Sequence, residues 1–414
     1  MSQENLDLTR EVKRLNRLYS ELWWSSEITF PKFRRTFSPL ERWQNGRGLN
    51  AFTDEIIREL SRMNASETSR SAARDRILEK ARPFICATLG LRDDHIDLVL
   101  QRKFLEVSAE FASRARKFDA SLTDDNIYQA ARNVMSMNFM QLLLDRPVEL
   151  TPAIFAYSML YPLTDNTLDD PGIKTVEKQE FGERFRKRLL GLRVTPENDR
   201  EKAIWELVSM VEGQFERPKY THLYDSLIAI HDAQSRSMAM LGRGAELGEV
   251  EVLDISFEKG GTSVLADGYL VAGELTRSQR EFTYGYGCFT QLMDDIEDIR
   301  GDMDAGLLTL FSKANRSGNL DEVTNRLFHF GDKFIRQMEQ FTSPDALILR
   351  ELVWTCTHTA LIGSMVASAD FYSRDYLRRL QAHYPYPFQA LGKQQKKLQV
   401  NGVSITSLVD TMGQ

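Results

Sequence analysis

Two acidic clusters, Asp165-Asn166-Thr167-Leu168-Asp169-Asp170 and Asp294-Asp295-Ile296-Glu297-Asp298, interrupt stretches of otherwise apolar, helix-patterned sequence. In each, carboxylates recur at i and i+4 (Asp165 with Asp169, Asp294 with Asp298), a spacing that stacks them on one helix face. Like charges so placed repel, so any fold that keeps both clusters must supply something to offset them. Pro171 disfavours helical dihedrals at Asp170, which puts the first cluster in the final turn of its helix. The second runs toward Gly301, with Asp302 one further turn on. A helix C-terminus carries about half a negative charge, so carboxylates there are electrostatically misplaced unless a cation joins them. Every candidate ligand is oxygen and no His or Cys lies nearby, which favours magnesium over zinc. A solvated acidic face is the usual fate of a lone charge run. Two such runs embedded in apolar helix point instead to two walls of one cation site on non-adjacent helices of a bundle.

The rest of the chain reads as all-α. Apolar residues recur at helical spacing in Leu142-Leu143-Leu144, Phe155 to Leu160, Ile204 to Val211 and Leu361 to Ala369, without convincing strand alternation. Thr123-Asp124-Asp125 has the form of an N-cap, Pro147 and Pro152 separate two helices, and Pro171-Gly172 stops another. Residues 1–100 carry more charge, aromatic clusters at Trp23-Trp24 and Phe30 to Phe37, and a Gly46-Arg47-Gly48 break, and are expected to form a separate helical region. Residues 101–391 are expected to form the catalytic bundle, and 392–414 a peripheral helix or tail. No repeat of fixed period and no low-complexity segment is evident.

Composition bounds the function classes. With 53 basic and 59 acidic residues, a formal charge of −6 with both signs interspersed, no nucleic-acid surface is indicated. Three cysteines, Cys86, Cys288 and Cys356, lie far apart in apolar segments and are expected to be buried thiols of a reducing compartment. The polar N-terminus is unlike a signal peptide and no window approaches a membrane span, so a cytoplasmic protein without a transmembrane segment is expected. The 23 Phe, 13 Tyr, 5 Trp and 14 Met suffice to line an apolar cavity as well as a core. One and two turns behind the first cluster the same face carries Tyr161 and Tyr157; behind Asp294 come Thr290, Gln291, Gly287 and Tyr286. Carboxylates capping aromatic faces suit a molecule with a diphosphate head and a hydrocarbon tail: metal draws off the diphosphate and ring faces stabilise the allylic cation left behind.

Gly287-Cys288-Phe289-Thr290-Gln291-Leu292-Met293-Asp294-Asp295-Ile296-Glu297-Asp298-Ile299-Arg300-Gly301-Asp302 resembles the second aspartate-rich motif of trans-prenyl diphosphate synthases. Asp165 to Asp170 resembles the first motif in the looser form of squalene and phytoene synthases. Phe257-Glu258-Lys259-Gly260-Gly261-Thr262 resembles the lysine-bearing segment that contacts diphosphate, and Val271-Ala272-Gly273 the helix after it. The likeness spans roughly residues 150–305. It implies the class I isoprenoid synthase fold, an all-helical bundle around a central apolar cavity, and often a homodimer. Carried over, it implies that Asp165, Asp169, Asp294 and Asp298 bind Mg2+ with Asp170 and Asp295 as helpers. It further implies that Lys259 holds the diphosphate of an allylic isoprenyl substrate, with Arg236 and Arg300 as weaker diphosphate candidates. Tyr157, Tyr161, Tyr286 and Phe289 are the wall candidates, and Arg374 and Tyr376 could close the site.

The departures bear on the reaction. Pro171-Gly172-Ile173-Lys174 follows the first motif where chain-elongating synthases have an arginine pair, the NSE motif of common terpene cyclases is replaced by the DDxxD form, and no DxDD triad occurs. The mixture most resembles prenyltransferase-like terpene synthases, which ionise one allylic diphosphate and then cyclise or eliminate it. Two other readings are a squalene or phytoene synthase-like condensation and, from a different class, a non-catalytic isoprenoid-binding helical scaffold.

Overall fold

The computed structural model describes residues 7–62, 67–169, 173–240, 247–401 and 403, with the backbone alone described at 67–71, 161, 165–169, 175, 239, 317 and 395. The protein is all-α. In chain order the helices are α1 (Leu8–Trp24), α2 (Pro39–Arg62), α3 (Glu67–Leu89), α4 (Asp93–Gln101), α5 (Phe104–Phe118), α6 (Asp124–Leu143), α7 (Pro152–Asp169), α8 (Thr175–Leu189) and α9 (Asp199–Gln214). They continue as α10 (Thr221–Ser237), α11 (Glu249–Ala272), α12 (Arg277–Glu297), α13 (Ile299–Ala305), α14 (Leu310–Ser317), α15 (Asp321–Arg336), α16 (Ala346–Ala367), α17 (Arg374–Gln381) and α18 (Phe388–Val400). The helix starts follow side-chain capping. Thr123 Oγ1 accepts the Asn126 N–H at 3.2 Å as α6 begins, Asn198 accepts from Glu201 at α9, and Thr276 with Gln279 forms a capping box at α12. α6 ends before Pro147 and α7 begins at Pro152, and α7 ends at Asp169; Pro171 and Gly172 lie outside the described residues.

The chain divides into two compact units, one of Met1–Ser26 with Gln129–Lys313 and one of Glu27–Tyr128 with Ala314–Gln414. The cuts differ from boundaries at 100 and 391, because each unit is assembled from segments distant in sequence. The first unit is organised on α11, which packs against α1, α7, α10 and α12. Its apolar run is buried on all sides, from Val252 and Phe257 to Leu265, Tyr269 and Leu270, as a helix hydrophobic all round must be. Asn16 of α1 donates to the Asp254 carbonyl at 3.0 Å and Ser20 to the Asp254 carboxylate at 2.8 Å, fastening α1 along it. In the second unit α2 packs on α3 and α18, and α16 on α4 and α15. Phe33 packs edge-on against Phe328 and stacks on His383.

Four local expectations are corrected. Gly46 and Gly48 do not break the chain but lie inside α2. A Cβ there would come to 3.1 Å of Pro387 and 3.3 Å of Phe84, so these glycines serve close helix packing. Gly301 ends nothing either: the break falls at Asp298, α13 continues through Gly301, and the left-handed Gly306 closes it. Of the cysteines only Cys288 is buried; Cys86 is half-buried and Cys356 exposed. The C-terminal helix begins at Phe388, ahead of Gly392, and its Lys397 pairs with Asp54 at 2.5 Å. No helix among the described residues is long and apolar enough to cross a membrane.

Candidate active site

α11 and α12 run antiparallel, turned through Gly273, whose φ of 78° suits glycine. Their closest approach is glycine on glycine. A Cβ on Gly260 would overlap the carbonyl oxygen of Gly287, a Cβ on Gly287 would overlap that of Gly260, and one on Gly261 would meet Tyr284 Cζ at 2.5 Å. Further along, Gly285 makes room for Tyr19 of α1, whose hydroxyl donates to the Glu281 carbonyl at 2.7 Å. The FEKGGT segment is therefore a contact surface as well as a bearer of Lys259. By fixing the separation of the two helices it sets Lys259 against the acidic end of α12, where Lys259 acts on both Asp295 and Asp302.

The carboxylates of the second cluster occupy different surroundings. Asp294 is half-buried; burial raises its pKa, and Arg132 of α6, donating from Nη2 to Oδ1 at 2.9 Å, opposes that rise. Asp295 is buried. Its Oδ1 accepts from Gln291 Nε2 at 2.8 Å while its Oδ2 has no hydrogen-bond partner. Burial pushes its pKa up to about 7; the Gln291 hydrogen bond and Lys259 oppose the rise, while Asp302 adds to it. Asp298 is exposed and caps α12, its N–H donating to the Asp294 carbonyl at 2.9 Å. Asp302, a turn further on α13, is pushed up to about 6, chiefly by burial and then by Asp298. The last turn of α12 carries no basic residue, so the helix end and its carboxylates share one sign. Raised acid pKa values and an orphaned buried carboxylate oxygen are what an undercompensated anionic site shows. Hard oxygen donors of this kind fit a magnesium ion. Among the described residues, no three His, Cys, Asp or Glu side chains stand in a geometry that could hold a metal.

The first cluster falls mostly outside the described residues. The backbone of Asp165 and Asp169 is helical, in the last turns of α7, and Asp170 is not described. Tyr161 likewise has a described backbone only. One turn further in, half-buried Tyr157 donates to the Ser263 carbonyl of α11 at 3.4 Å. Phe289, 1 % exposed, borders no space that water could reach. Tyr286 stacks on Phe282 with centroids 6.3 Å apart and leans on Phe139. Arg236 of α10 is paired with Glu258, the residue before Lys259, and Arg300 is exposed on α13. Arg374 and Tyr376 belong to the second unit. There the Tyr376 hydroxyl, buried, donates to Asn325 Oδ1 at 2.8 Å and its ring stacks on Tyr372.

Two features escaped the sequence reading. Arg132 sits in an unremarkable Ala-Arg-Asn step of α6, and nothing local marks it as the partner of Asp294. Its neighbour Asn133 donates to Ser158 Oγ at 3.1 Å and to Asp267 Oδ1 at 3.4 Å. Asp267 is wholly buried on α11, Oδ2 without a partner, and burial holds its carboxyl well above the ordinary carboxylate range. Pro162 inside α7 also leaves the Ser158 carbonyl without its helical donor. A lone acid within Val264 to Leu270 was the available signal.

Neither a protein-family model nor a curated protein matches the chain. Among solved structures, the crystal structure of a geranylgeranyl pyrophosphate synthase is similar at 14 % identity, over 87 % of this chain and 99 % of that one, with a TM-score of 0.26. The likeness is slight, and function is reasoned from the chain's own residues.

Proposed function

We propose that this protein is a magnesium-dependent terpene synthase of class I type, which ionises an allylic isoprenyl diphosphate and then cyclises or eliminates the cation. The observation that carries the proposal is the acidic C-terminal end of α12 set against Lys259 of α11, with the two helices held together by facing glycines. In this reading Asp294 and Asp298, with Asp295, would hold Mg2+ together with Asp165, Asp169 and Asp170 of the first cluster. The bound metal would supply charge neutralisation of the leaving diphosphate.

The chain's residues have distinct tasks. Lys259 binds diphosphate oxygens as a compact point charge. Gln291 orients Asp295, and Arg132 holds Asp294 in place. Arg236 is held by Glu258 and reaches diphosphate only by exchanging that partner; Arg300 is a second cation beside the cluster. Tyr157 and Tyr286, with Tyr161 carried over from the sequence, would offer aromatic faces to the hydrocarbon and exclude water, which would otherwise quench the cation, whereas Phe289 is buried in the core. Catalytic residues on this reading come from the first unit and fall within the 101–391 region proposed for catalysis.

The squalene or phytoene synthase-like form of the first cluster favours a second reading, condensation of two prenyl diphosphates. Incubation with geranyl, farnesyl and geranylgeranyl diphosphate, singly and paired, with Mg2+, separates the two. A hydrocarbon or alcohol of the substrate's own carbon number is expected. A C30 or C40 product from two identical substrates would show condensation, and substrate binding without release of diphosphate would show a scaffold.

A further inference from the structure

The second unit contains a cleft of about 370 Å³ lined by Lys32, Arg34, Asp332, Arg336, Glu339, Arg350, Glu351 and Trp354. That size is in the range of small-molecule sites. Its lining carries four cations against three carboxylates, and the carboxylates are engaged with other partners. Each carboxylate is already committed: Asp332 accepts from Trp354 Nε1 at 2.8 Å and faces His358 Nε2 at 3.4 Å. Glu339 takes Arg350 at 2.6 Å, and Glu351 takes Arg92. Lys32 and Arg34 have no carboxylate within ion-pair distance among the described residues, and Arg336 feels Asp332 only at longer range than an ion pair.

Arg34 is also preorganised. Its guanidinium lies 3.8 Å from the centre of the Trp354 ring, and His358 stacks on that ring with centroids 4.1 Å apart. Buried His358 in turn donates from Nδ1 to the Trp354 carbonyl of its own helix, 2.8 Å away, and packs against Phe328 and edge-on to Phe33. Trp354 is thus fixed by Asp332 and His358, and it fixes Arg34 through cation–π attraction, which leaves the planar fork of N–H donors unspent. With Arg34 over one part of the indole and His358 stacked upon it, little ring face remains for a nucleobase. Two guanidinium groups and an ammonium around a preformed cleft match the oxygens of a phosphate or diphosphate group.

We propose that this cleft binds a phosphate-type oxyanion, phosphate or diphosphate, through Arg34, Arg336 and Lys32, independently of the acidic site on α12. The test is titration of the full-length protein with inorganic diphosphate and inorganic phosphate at constant ionic strength, without divalent metal. Binding is followed by calorimetry and by tryptophan emission. Saturable binding with an emission change is expected, and Trp354→Phe should abolish that change. Arg34→Gln and Arg336→Gln should each weaken binding roughly tenfold or more, as loss of a charge-assisted hydrogen bond does. Arg34→Lys should retain part of it. Arg378→Gln, at an exposed ion pair of α17 that does not line the cleft, should leave this binding unchanged, which separates the cleft from non-specific attraction to surface charge. Thermal melting of the Arg34 and Arg336 variants checks that they fold. Diphosphate affinity in folded Arg34→Gln and Arg336→Gln equal to that of the unmodified chain would overturn the proposal, as would equal loss of the signal in Arg378→Gln.

Discussion

Replacing Gly260 by alanine tests whether the α11–α12 contact is as close as described. The added methyl would overlap the Gly287 carbonyl oxygen and lie 2.5 Å from Gln291 Cβ. Overpacking costs typically about 1–3 kcal/mol, less where a flexible side chain can swing away. Here the obstacle is backbone, so relief requires moving a helix, and the upper figure of about 3 kcal/mol applies. Alanine's helix propensity returns about 1 kcal/mol, leaving a net loss of about 2 kcal/mol, read as a fall in urea midpoint at unchanged m-value. Gly213 of α9 is the control, because a Cβ there meets nothing within 4 Å; Gly213→Ala should be neutral or stabilising by up to about 1 kcal/mol. Urea unfolding followed by far-UV circular dichroism measures both. The decisive quantity is the sign of the Gly260→Ala effect. A stability at or above that of the unmodified chain would mean that the helices do not meet at these glycines and that Lys259 is not fixed against α12 by them.

Asp267→Asn should stabilise the protein increasingly as pH rises. Because burial raises the Asp267 pKa in the folded chain, unfolding releases a proton at every pH above the ordinary carboxylate pKa and below the folded one, so native stability falls through that window. The difference between variant and unmodified chain should widen there by up to about 1.4 kcal/mol per pH unit, and parallel unfolding curves at pH 5 and pH 7 would refute it. Glu212 has the opposite sign: burial raises its pKa, but hydrogen bonds from Arg188 and Arg217 lower it further. Its contribution is therefore present above the unfolded carboxylate pKa and lost as pH falls through the folded one. Glu212→Gln should destabilise by about 1–3 kcal/mol at neutral pH and less at acid pH; a loss independent of pH would show that charge is not the cause.

Much of the helical layout is legible in the chain because the signals are local: the Thr123 cap, the prolines flanking the α6–α7 turn, and the apolar periodicity. The second cluster, of which Asp295 is buried, stands out for the same reason, since an acidic run inside apolar helix is anomalous wherever the helix packs. What was illegible depends on partners distant in sequence. Gly46, Gly48 and Gly301 carry the same local mark as a helix breaker, and only the presence of Pro387 and Phe84, or of open space, decides what each does. Arg132 and Asn133 acquire meaning from Asp294 and Asp267, which lie on other helices. The division into two units, each built from separated segments, is likewise a property of packing rather than of composition.

The measurement that bears most directly on the central claim is Mg2+-dependent diphosphate release from allylic isoprenyl diphosphates by the unmodified protein and by Asp294→Asn, Asp298→Asn and Lys259→Gln. Asp294 and Asp298 lie where like charges crowd a helix end, so neutralising either should change stability by no more than about 1 kcal/mol. The account predicts release by the unmodified chain that stops with chelator, and loss of release in each variant at near-unchanged melting temperature. Release that persists in folded Asp294→Asn and Asp298→Asn, or that proceeds equally without divalent metal, would contradict it.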